Sequence, residues 1–256
     1  MNSNLPPSTS SAPEDLPQRG AFVTTHWSQV IMAARQDTTR AQGALEKLCQ
    51  TYWHPLYAYV RRRGYGVEDA QDLTQAFFAK LLERQWLADA AQEKGKFRTF
   101  LLTAMERFLA NEWDKVRTQK RGGGRTNVPI QLDTAETRYG IDPQDTRTPE
   151  QAFEYRWAVT LLDEVLKRLQ AEYQRRGQQA LFTALKSCLV GEGNTQPYAD
   201  LAAQLGMGIA AVKVAVHRLR QRYRELLRAE VAETLASPEE VDAEMRYLFG
   251  VLTERI

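Results

Sequence analysis

Between Lys213 and Arg228 the sequence sets Lys213, Arg218, Arg220, Arg222, Arg224 and Arg228 against one acid, Glu225. Such a run works by charge and hydrogen bonding rather than by making bonds. Its ammonium and guanidinium groups neutralise phosphates and dock on guanine edges. The residues just upstream give the run its setting. Leu201, Leu205, Val212 and Val216 are apolar at a spacing that wedges two short helices together. Ala202 is small where those helices approach, and Gly206, four residues later, supplies the positive φ that a tight turn needs. This is a helix-turn-helix pattern, and in that motif the second helix enters the major groove. The segment is predicted to bind DNA, with Lys213, His217, Arg218, Arg220 and Arg222 as candidate contacts. A plain helical hairpin with a solvated charged face is the competing reading. It leaves the joint occurrence of turn glycine, small residue and basic second helix unexplained.

A second basic cluster, Lys115, Arg117, Lys120 and Arg121, with Arg125 beyond three glycines, closes a long helical stretch. Trp86, Phe97, Phe100, Phe108 and Trp113 precede or accompany it. Unpaired bases stack on aromatic faces while cations hold the backbone, so the stretch has the parts of a single-strand site. Asn111, Lys115, Arg117, Lys120 and Arg121 are the candidate contacts, and the polar connection 85–96 is a candidate wall. Most of the rings are expected to fill the core, with one or two left for nucleic acid. The third constellation lies between Asp69 and Leu82. There Asp72, Gln75, Ala79 and Lys80 fall away from the apolar stripe, beside small Ala76 and a Phe78 expected to be exposed. Such a strip suits docking against another helix, and an ordinary solvated face has the same periodicity.

Catalysis finds no footing. No nucleophile–base set, Walker loop or dinucleotide fingerprint is present, and Gly122-Gly-Gly-Arg lacks the lysine and hydroxyl that a phosphate loop needs. Two cysteines and three histidines are scattered without zinc-ligand spacing, so neither metal nor cofactor is expected. Cys49 and Cys188 lie among apolar neighbours and read as reduced core residues. No apolar run spans a membrane and no signal peptide pattern opens the chain, so a cytoplasmic location is expected. The net charge of +2 is close to neutral, so contact with nucleic acid must come from local patches.

The elements that must position these residues are helices. With 256 residues, 43% of them hydrophobic, the chain has material for two small cores. Residues 1–19 are rich in Ser and Pro and read as a disordered tail. Helices are expected from Thr25, across Leu45–Val60 with a kink or break at Pro55, from Val67 to Glu83 and from Phe97 to Lys120. The polar, glycine-rich stretch 122–147 reads as a linker. Thr148-Pro-Glu-Gln is a capping box that restarts the helices, and Ser237-Pro-Glu-Glu is another. Alternating strand patterns are absent. The predicted fold is all-α: two small helical domains joined by a flexible linker, the second with a helix-turn-helix. Boundaries fall at 20–121, 122–147 and 148–232, with a helical extension over 233–256.

The order Asp69-Ala-Gln-Asp-Leu-Thr-Gln-Ala-Phe-Phe, then Phe97-Arg-Thr-Phe-Leu-Leu-Thr-Ala, then Val212-Lys-Val-Ala-Val-His-Arg-Leu-Arg resembles the extracytoplasmic-function (ECF) group of bacterial RNA polymerase sigma factors, within the sigma-70 family. The likeness covers about residues 25–121 and 150–228. It implies a non-enzymatic protein that binds core RNA polymerase and directs initiation at chosen promoters. The strip of Asp72, Gln75, Ala76, Ala79 and Lys80 would dock on the polymerase clamp helices. The helix over 97–121, with the loop before it, would recognise and open the −10 element, and the helix over 209–224 would read the −35 element. An anti-sigma factor or other regulator is a further partner the resemblance suggests. The sequence departs from the family at Ala76, where an acid is usual, and at Val214-Ala215, where Ser-Arg is frequent. The stretch from Gln174 to Asn194 is longer and more polar than the family's, and the helix after Ser237 falls outside its two-domain core. A stand-alone helix-turn-helix regulator, its N-terminal helices sensing a ligand or dimerising, is the alternative. It would bind promoter DNA without polymerase.

Overall fold

The computed structural model describes residues 39–81, 96–118, 146–189, 197–235 and 237–253, and among these it contains helices and no strands. Eight α-helices follow in order: α1 (Thr39–Arg62), α2 (Val67–Leu81), α3 (Phe97–Thr118), α4 (Pro149–Arg175), α5 (Gln179–Leu185), α6 (Tyr198–Leu205), α7 (Ile209–Glu233) and α8 (Val241–Thr253). The all-α prediction holds. The expected helix from Thr25, the tail and all but the end of the 122–147 linker lie outside the described residues.

Local signals account for most helix ends. Glu68 and Asp69 sit in the first turn of α2, where the positive end of the helix favours acids. Before it, Gly64 turns the chain at φ 93°, a conformation open to glycine. At α4 the Gln151 amide donates to Thr148 Oγ1 at 3.2 Å, and the Thr148 amide donates to Gln151 Oε1 at 2.9 Å, which completes the expected capping box. Before α8 the Glu239 amide donates to Ser237 Oγ at 3.4 Å, and a 3-10 turn, Pro238–Glu240, precedes the helix. One expectation fails. Pro55 neither breaks nor ends α1, which runs on to Arg62. A proline removes one backbone hydrogen bond, but Tyr52, Trp53, Leu56, Tyr57, Tyr59 and Val60 around it are all buried. Their packing outweighs the lost bond.

α4 is the spine. Its stripe of Phe153, Trp157, Leu161, Val165 and Leu169 is at most 1% exposed. The most extensive helix contact in the described structure is α1 on α4, and α7, α8 and α5 also pack on α4. The two helical groups before and after residues 119–145 therefore share one hydrophobic core.

A charged junction lies where they meet. Arg98, in the first turn of α3, is 4% exposed. Its Nε lies 2.8 Å from Glu154 Oε2 of α4, and its Nη1 pairs with Glu244 of α8. The guanidinium is sandwiched between the rings of Trp157 and Tyr247, 4.6 Å from each centroid. Lys96 Nζ reaches the other oxygen of Glu244 at 2.7 Å, and the Phe97 amide donates to the Thr234 carbonyl at 3.4 Å. Burial pushes the Glu154 carboxyl above its ordinary pKa, and Arg98 works against that shift.

Candidate functional site

α6, the turn and α7 form the predicted helix-turn-helix. Gly206 stands at φ 62°, ψ 30°. The Met207 amide donates to the Ala202 carbonyl at 3.0 Å and the Gly206 amide to the Ala203 carbonyl at 3.3 Å. This double bond pattern stops a helix on a left-handed residue. The axis then turns by 99° into α7, within the range of DNA-binding helix-turn-helix units. Leu201 and Ala202 of α6 are buried, as are Val212, Val216 and Leu219 of α7.

Burying that face turns Lys213, His217 and Arg218 outward, where all three are exposed. Arg220 and Arg222 have protein partners instead. Arg220 Nε donates to the Cys188 carbonyl at 2.9 Å. Arg222 sets a two-pronged fork on Glu172 of α4, Nε to Oε2 and Nη2 to Oε1, both at 2.8 Å, and Nη1 reaches Glu225 at 3.0 Å. The fork holds the Glu172 carboxyl below its ordinary pKa. The Tyr223 hydroxyl donates to the Leu162 carbonyl at 3.4 Å, and its burial raises its pKa to about 12. The Arg222 and Tyr223 contacts seat α7 on α4, so of the four cations and one histidine singled out in the sequence, Lys213, His217, Arg218 and Arg220 are exposed and Arg222 anchors the helix.

In the N-terminal group, Asn111 is exposed on α3. Phe97 and Phe108 are buried, whereas Trp113 is 61% exposed, which fits the expectation that few of the rings are left for a ligand. Trp113 lines a groove of about 550 Å³ with Arg63, Tyr65, Asp69, Leu109 and Ala110. Lys115 and Arg117 fall on the last turn of α3. Their side chains, Lys120, Arg121 and residues 85–95 lie outside the described residues. Lys96, at the end of the candidate loop, faces Glu244.

On α2 the buried face is Ala70, Thr74, Phe77, Phe78 and Leu81. Asp72, Gln75, Ala79 and Lys80 are half-buried and Ala76 is exposed, so the strip forms one continuous side of the helix. Phe78 corrects the sequence reading. It is 1% exposed and meets Phe77 edge-on at 5.7 Å. The docking strip is polar and small, without an aromatic anchor.

Periodicity did not reveal Arg98, Glu154 or Glu244. One signal was available: Glu244 falls three residues after Val241 and one before Met245, on the apolar side of α8. A carboxylate there calls for a buried cation. Among the described residues no group of three or more His, Cys, Asp or Glu is placed to hold a metal ion, and no single helix is long and apolar enough to cross a membrane. In comparisons with known proteins, a family model described as ECF sigma factor matches residues 28–229. No curated protein and no solved structure matches.

Proposed function

Because that match covers well over half of its length, the chain belongs to the ECF sigma factor family, and from this premise we propose that it binds core RNA polymerase and directs initiation at its own set of promoters. The observation that carries the reading is the right-angled pair α6–α7, with Lys213, His217 and Arg218 on its outer face and no acid between Ile209 and Arg224. A surface of that kind meets a phosphate backbone without repulsion. In this reading α7 contacts the −35 element. Asp72, Gln75, Ala76, Ala79 and Lys80 dock on the clamp helices. Asn111, Lys115, Arg117, Lys120 and Arg121 hold the opened −10 strand, with 85–96 beside them. Arg222 serves to fix the angle of α7 on α4. The protein contributes binding and positioning, and the chemistry of RNA synthesis belongs to the polymerase. An anti-sigma factor or other regulator would act by covering one of these surfaces.

The test is reconstitution. Purified protein mixed with core polymerase is expected to give transcription from specific start sites on promoter-bearing templates, and to bind duplex DNA weakly by itself. Tight, promoter-specific binding without polymerase, together with no gain in transcription when polymerase is added, would point to a stand-alone regulator instead.

A further inference from the structure

The outer face of α7 carries more than cations. Successive residues of a helix are 100° apart, so Ile209, Ala210, Lys213, Val214 and His217 share one side. All five are exposed, on a side that adjoins the buried Val212, Val216 and Leu219 at Ile209 and turns away from them at Val214. Ile209 is 47% and Val214 49% exposed, and they are two of the few large apolar residues in the described structure that face solvent. Exposing such residues to water carries a hydration penalty, and packing among the described residues does not account for them.

We propose that Ile209, Ala210 and Val214 are the base-reading residues of α7 and that they read thymine methyl groups. The proposal rests on the assignment of α7 to the upstream promoter element. In a helix-turn-helix the first turns of the second helix reach the base edges, and these residues occupy those turns. None of them has a side-chain donor or acceptor. The C5-methyl of thymine is the apolar group that ordinary base pairs display in the major groove, and apolar side chains contact it. Val214 and Ile209 are β-branched, which in a helix leaves one strongly preferred χ1 rotamer, so their methyl groups point in fixed directions before DNA arrives. Ala210 is small enough to let the helix settle into the groove. Lys213, His217 and Arg218, interleaved with them, supply the complementary charge. The upstream sequence read by this chain is therefore thymine-bearing at the positions facing the first two turns of α7, with few bidentate polar contacts there.

The experiment uses the full chain bound to core polymerase. Duplexes selected for binding from a pool randomised across the upstream element are resynthesised with deoxyuridine replacing one thymine at a time. This exchange removes a methyl group and leaves every hydrogen-bonding group in place. Binding is expected to weaken by about fourfold at each contacted position, the worth of one buried methyl group. Val214→Ala is expected to abolish the effect at its own position and keep it at the others. Val214 is half-exposed, so the variant should fold, and far-UV circular dichroism checks that. If no uridine exchange matters while Lys213→Ala still weakens binding, the upstream assignment stands and methyl reading is refuted. If neither uridine nor Lys213→Ala nor Arg218→Ala has an effect, α7 does not touch DNA. The exposed apolar side would then belong to a protein contact, and both readings fall.

Discussion

Replacing Arg98 with alanine probes the junction between the two helical groups most directly. Arg98 is 4% exposed and Glu244 is fully buried, so neither is bathed in water that could absorb the loss. Without the guanidinium, Glu244 retains Lys96 at 2.7 Å, while Glu154 loses its partner at 2.8 Å. The cation between Trp157 and Tyr247 also disappears. Removing one partner from a buried ion pair costs about 3–5 kcal/mol, because the other charge stays buried and unpaired. At a urea slope of about 2–3 kcal/mol per molar, the unfolding midpoint should fall by about 1–2 M. Swapping the whole cluster for apolar side chains (Arg98→Met with Glu154→Leu and Glu244→Met) removes the charges together. It should return the protein to within about 1–2 kcal/mol of the parent. The measurement is urea unfolding followed by circular dichroism, which should show one shared transition for the parent. A single Arg98→Ala variant that lost less than about 1 kcal/mol, or a parent that unfolded in two separated steps, would refute the argument. Either result would mean that the two groups do not hold each other through this cluster in solution.

Three further outcomes are expected. Asp72→Ala with Gln75→Ala should weaken capture of core polymerase while leaving helical content and melting temperature nearly unchanged, because neither residue is on the buried face of α2; unaltered capture would remove the docking assignment. Arg218→Ala should cost about 1–3 kcal/mol at particular upstream sequences if the residue grips a base edge, whereas Lys213→Ala should weaken all sequences evenly and flatten the salt dependence, both read by titrating holoenzyme onto labelled promoters. Glu172, whose folded pKa is depressed below 4.5 mainly by the Arg222 hydrogen bonds, lends stability that is present above that pH and is lost as the pH falls through and below it. Since Arg222 is 39% exposed, the contribution is no more than about 1 kcal/mol. Glu172→Gln should therefore flatten the acid side of a melting-temperature profile between pH 3 and 7, and an unchanged acid slope would count against the fork.

What could be read from the sequence was local. Thr148 and Gly206 each act within a few residues of themselves, and each does in the structure what its type and position predicted. The outward turn of Lys213, His217 and Arg218 also followed from the apolar positions around them. What escaped was decided across the chain. Pro55 stays helical because the residues around it are buried. Phe78 is buried because the covered arc of α2 is wider than the apolar stripe suggested. Arg222 looks like any other cation of its run until Glu172, fifty positions away, is brought beside it. Arg98 and Glu244 lie farther apart still, and only the tertiary fold joins them.

The seating of α1 on α4 has a consequence for how the molecule is made. A ribosome releases α1 with Tyr52, Trp53, Leu56 and Tyr59 already in place, but the helix that covers them ends at Arg175. About a hundred residues separate the two, and at about 5–20 residues per second the delay is roughly 5–20 s. Throughout that interval α1 has only α2 and α3 to pack against, and the Arg98 cluster waits longer still for its last member, Glu244 of α8. The native burial of α1 is therefore completed only by a helix made much later in the chain. A cell that synthesises this protein has to shelter an unfinished N-terminal half while the rest of the chain is being translated.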